Sequence, residues 1–103
     1  MRDEDVRVVR DFEPDLMDGE GYEGIFRKSD RKERFEMLKK RLMHDAEVFL
    51  EKDDPDIMID LIEVAYALSA LMGYPEEEMV RMRKIVKKDR GGYTRGFIFE
   101  PEV

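Results

Sequence analysis

Cysteine is absent from this 103-residue chain. No disulfide can close a loop and no thiolate can act as nucleophile or metal ligand, which fits a reducing, cytoplasmic compartment. Also missing is any charge-free apolar run of the about 20 residues that a bilayer-spanning helix requires, so no membrane partner is expected. The Met1 end carries Arg2, Asp3 and Glu4 where a secretory leader needs an apolar stretch. Net positive charge is lacking as well. At a formal −7, the chain is a poor match for nucleic acid, whose phosphates demand a cationic face. No Ser/His/Asp or Cys/His constellation supports nucleophilic catalysis, and no glycine-rich phosphate loop follows a strand pattern. Internal repeats and low-complexity segments are absent too. A divalent metal, or an anionic ligand carried by one, remains compatible with all of this.

The length suits one domain, residues 1–103, with a single modest core. Its expected parts are an amino-terminal arm and connector over 1–29, a three-helix core over 30–90 and a carboxy-terminal tail over 91–103. In the arm, VRVVRDF alternates charge with valine before Pro14, which suggests an extended stretch and then one helical turn, EPDLM. MDGEGYEGIFRKSD, with three glycines and no sustained period, reads as an irregular connector ending at Asp30.

Phe35, Leu38, Leu42, Ala46 and Phe49 then recur at steps of three and four, so RKERFEMLKKRLMHDAEVFLEK is expected to be a helix with one core face. Asp54 as N-cap and Pro55 in the first turn start a second helix, which Gly73 ends. A linker of about four residues between the two implies an antiparallel αα-hairpin. Pro75 opens the third helix, acidic in its first turn and basic in its last, as the helix dipole favours. Gly91 and Gly92 stop it, and YTRGFIFEPEV follows as an extended tail packed across the bundle or onto a partner chain. The expected fold is therefore all-α: an antiparallel helical hairpin plus a third helix, forming an oligomeric four-helix-type bundle with extended arms.

The second helix, DIMIDLIEVAYALSALMG, is apolar on nearly every side yet holds Asp60 and Glu63. At about 100° per residue, Asp56, Asp60 and Glu63 share one stripe that continues through Ala67 and Ala70. Ile57, Leu61, Val64, Leu68 and Leu71 fill one flank, and Ile59, Ile62 and Tyr66 much of the other. Burying a carboxylate there without a partner costs several kcal/mol, so a base, a proton or a metal must compensate it. Asp45, at the edge of the first helix's apolar stripe, can face Asp60 across the hairpin. Inward carboxylates from two facing helices are the usual bundle-core divalent site, and hard oxygen ligands select Mg²⁺ or Mn²⁺. The competing reading is a buried ion pair with arginine. Asp56, near a helix start, reads as a dipole partner or solvated residue. Glu63 reads equally as a surface acid, His44 as a solvated surface residue, and the eight methionines as core or interface filler. Arg83, Lys84, Lys87, Lys88, Arg90 and Arg95 form a basic region that can bind the outer charge of a polyphosphate or simply pair with the acids of its own helix.

Three segments in this order, VVRDFEPDLM, LKKRLMHDAEVFLEKDDPDIMIDLIEVAYAL and KKDRGGYTRGFIFE, resemble the small MazG-like branch of the all-α nucleoside triphosphate pyrophosphohydrolases, related to phosphoribosyl-ATP pyrophosphohydrolase. Val9, Arg10, Asp11 and Pro14 match an amino-terminal "LVRDKIPEII" segment, and RGGY matches a terminal "RGGF". The resemblance implies hydrolysis between the α and β phosphates of a nucleotide by a metal-activated water, in a homodimer or tetramer. It assigns Asp60 and Asp45 as metal ligands, Glu47 and Glu63 as auxiliary ligands or the base orienting water, and Arg10, Lys87 and Arg90 as phosphate contacts. The family's paired E-x-x-E and E-x-x-D patterns fall on Asp45 and Val48, and on Ile57 and Asp60, so two of four ligand positions are apolar. Two functions follow as expectations: a metal-dependent nucleotide pyrophosphohydrolase with a rearranged ligand set, or a non-catalytic helical oligomer that keeps the scaffold.

Overall fold

Capping chemistry divides the chain. In the computed structural model, which describes residues 6–19 and 24–102, the described residues form four helices and no strand. These are α1 Glu13–Gly19, α2 Arg31–Lys52, α3 Pro55–Leu71 and α4 Glu76–Arg90. The fold is all-α. Residues 1–5 of the expected arm, residues 20–23 of the connector and Val103 lie outside the described residues. The turn expected at EPDLM runs on through Gly19, into residues assigned to the connector.

Helix α2 begins at Asp30, whose carboxylate accepts the Glu33 N–H at 2.8 Å. Arg27 then clasps the Glu33 side chain at 2.6 and 2.7 Å. That bond holds the Glu33 carboxyl below its ordinary value. Helix α2 stops at Asp53, which adopts the left-handed region (φ 53°) and donates its N–H to the Phe49 carbonyl at 2.8 Å. A short polar side chain tolerates that conformation. Only Asp53 and Asp54 separate α2 from α3, a shorter joint than expected. The Asp54 carboxylate accepts the Asp56 N–H at 2.9 Å, and Pro55 fills the first turn, where its missing N–H costs nothing. Gly73, at φ 94°, reverses the chain after α3.

Helices α2 and α3 pack on each other, and Arg31 at the start of α2 donates to the Leu71 carbonyl at the end of α3. The chain bends by 107° between α3 and α4, and among the helices α4 contacts α3 alone. The core is thin. Leu38 and Leu68 are its buried apolar residues among those described, while Phe35, Leu42, Ala46 and Phe49 are half-buried. On α3, Ile57, Leu61 and Val64 share the side of Leu68 and are half-buried, whereas Ile59 and Ile62 point the other way at 60% and 53% exposure. The chain exposes 9758 Å², against about 6,100 Å² for a folded monomer of this mass. Its radius of gyration is 17.5 Å, where about 13 Å is usual at this length. No single helix among the described residues is long and apolar enough to cross a membrane.

Two outcomes follow from the caps. Asp54→Ala is expected to lower stability by about 1 kcal/mol at fixed protein concentration, read as a lower urea midpoint by circular dichroism with an unchanged slope, and Asp54→Asn to retain most of it. Because the folded-state value of Glu33 lies below its unfolded one, the stability it contributes is present above the ordinary carboxylate range and is lost as pH falls through the lowered value. Glu33→Gln should flatten the acid limb of the stability profile.

Candidate functional site

Asp45 lies on the inner face of α2 and is 2% exposed. One turn earlier, Arg41 turns its Nε onto both carboxylate oxygens, at 3.0 and 3.1 Å. His44 Nδ1 lies 3.4 Å from the same carboxylate, with most of its side chain exposed. Among the described residues no buried side-chain nitrogen or oxygen lacks a partner, so the buried acid is compensated from within its own helix.

Asp60 is engaged from further away. The arm crosses α3, and Arg10 Nη2 donates to Asp60 Oδ1 at 2.6 Å. This bond raises the Arg10 guanidinium above its ordinary value, with the charges of Asp60 and Glu63 adding to the effect. Beneath the arm lies an open cleft of about 690 Å³, walled by Arg34 and Arg41 of α2 and by Asp60 and Glu63 of α3, with Phe12 and Leu38 supplying apolar surface. Four arginines and four carboxylates line it, so its formal charge is balanced.

The remaining candidates are dispersed. Glu63 shares the cleft wall with Asp60. Glu47 is exposed, and two residues of helix carry it about 200° around α2 from Asp45, to the opposite side. Lys87 and Arg90 are exposed in the last turn of α4, and no α4 residue lines the cleft. Val48 and Ile57 are half-buried. Among the described residues, no group of three or more His, Cys, Asp or Glu side chains converges to hold a metal ion. Arg34 and Arg41 went unassigned in the sequence, although Arg41 stands four residues before Asp45, the spacing at which helical side chains meet.

No family model matches the chain, and neither a curated protein nor a solved structure matches it.

The two ion pairs differ in burial, and their loss should differ accordingly. Arg41→Met strands a buried carboxylate and is expected to cost about 3 kcal/mol. Arg10→Met breaks a pair that reaches water on both sides and should cost less than about 1 kcal/mol. Urea unfolding of the two variants checks the order.

Proposed function

We propose that this chain is a non-catalytic helical module that self-associates, a MazG-like scaffold whose signature acids serve internal ion pairs. The observation that carries this reading is the engagement of both candidate ligands by arginine: Asp45 by Arg41 and Asp60 by Arg10. A carboxylate held by a guanidinium gives up that partner to coordinate a cation, and for buried Asp45 the exchange leaves Arg41 uncompensated. Val48 and Ile57 offer no oxygen where the family pattern places ligands. In this reading α2 and α3 form an antiparallel hairpin, and the exposed face of α3 completes a four-helix bundle with another copy. The large exposed area and the thin core support association.

The pyrophosphohydrolase reading draws on one feature, the shared position of Asp60 and Glu63 on the cleft wall. It requires Arg10 to leave Asp60, after which a small phosphorylated ligand would meet Arg34 and Arg41 in the cleft. Titration calorimetry with Mg²⁺ and Mn²⁺, combined with a pyrophosphate-release assay on nucleoside triphosphates, separates the two. The expected result is no saturable binding up to millimolar metal, no pyrophosphate, and a sedimenting mass above the 12.3 kDa of one chain. Saturable metal binding lost in Asp60→Asn, together with pyrophosphate release, overturns the proposal.

A further inference from the structure

The tail beyond α4 has the composition of a buried segment and the environment of an exposed one. Every residue from 91 to 102 is exposed. Phe97, Ile98 and Phe99 stand in succession at 79%, 82% and 87% exposure. Three consecutive large apolar residues in water are a liability unless something covers them. The segment nevertheless has local order. The Gly96 N–H donates to the Tyr93 carbonyl at 3.2 Å, and the Arg95 guanidinium stacks 4.7 Å from the centre of the Phe97 ring.

A second uncovered apolar surface lies on α3. Ile59 and Ile62 occupy the side facing away from the Leu68 flank and stay 60% and 53% exposed. Asp56 and Glu63 lie within about 60° of Ile59 around the helix, so this surface has an acidic rim. The tail carries the complement: an aromatic and aliphatic cluster led by Arg95. The chain does not bring the two together itself. Helix α4, 15 residues and about 22 Å long, departs from α3 at the 107° bend and carries the tail away.

From this pairing we infer that the tail docks on a second copy of the chain, with Phe97–Phe99 of each copy covering the Ile59–Ile62 surface of the other's α3. The exchange is reciprocal. Two tails cover two faces about a two-fold axis, which closes the assembly and leaves neither surface over. The area supports a second copy as the occupant. The chain exposes 9758 Å², about 3,700 Å² more than a folded monomer of its mass. A standard interface takes about 800 Å² from each partner, so the surplus accommodates both the docked tail and the face it covers. Arg95 then meets Glu63 and Asp56 at the rim, which selects the register of docking more than it adds affinity.

The inference rests on the self-association proposed above, and the experiment keeps the two apart. The chain has no cysteine, so introduced thiols are unique. Differently tagged full-length Phe99→Cys and Ile62→Cys chains, mixed and oxidised, are expected to give a crosslinked heterodimer, while Phe99→Cys mixed with an exposed α2 control, Glu47→Cys, is not. Sedimentation of the Phe97→Ser, Phe99→Ser double variant should show self-association weakened about a hundredfold with helical content unchanged. A wild-type chain that stays monomeric at every concentration overturns both the exchange and the self-association. A dimer unaffected by the double variant overturns the tail exchange alone. So does a chain carrying both thiols that crosslinks only within itself.

Discussion

A carboxylate has no business in the middle of a small apolar core unless its charge is matched there, and Asp45 imposes that condition on the whole packing of α2 against α3. Its position on the inner face of α2, on the same side as Leu38, puts it out of reach of water. Arg41 meets the condition from one turn away, so the compensation travels with the helix and does not depend on a partner arriving from elsewhere. Arg41 also keeps part of its side chain exposed, a cheap arrangement because the guanidinium stays partly hydrated while its Nε reaches inward. With that charge settled locally, Leu38 and Leu68 can pack as the centre of the helix pair.

The same economy explains why the rest of the molecule is so open. One pair of helices buries only one flank of each, and α3 has apolar side chains on two. A chain of this length has too little material to wrap the second flank. Helix α4 turns away instead of covering it, because the Gly73 reversal and Pro75 set its direction before its own apolar residues can contribute. Ile85 and Val86 of α4 consequently remain half in water or more, and Met82 keeps 38% of its surface exposed.

Local signals in the sequence were strong enough to place the helices, and weak where geometry depends on distant residues. Asp30, Asp54, Pro55 and Gly73 act through bonds within a few residues, so the bounds of α2 and the start of α3 were legible from spacing alone. The thinness of the core was not, because periodicity says which face is apolar and not whether anything covers it. Asp60 was legible as an acid in need of a partner. That the partner is Arg10, fifty positions away, depends on where the arm lies across α3, and no periodic pattern encodes that. Arg41 was legible from its spacing to Asp45, because side chains four apart on a helix meet, whereas spacing says nothing of whether Asp45 and Asp60 face one another on different helices.

The arm that delivers Arg10 has a thermodynamic character of its own. Twenty residues, α1 among them, lie between Arg10 and Arg31 at the start of α2, so laying the arm on α3 costs conformational entropy. The half-exposed ion pair returns at most about 1 kcal/mol, and the half-buried Val8 and Val9 add apolar burial to it. With few buried groups of its own, the arm should open more readily than the helix pair, and its backbone amides should exchange with solvent hydrogen before those of the helix pair beneath it.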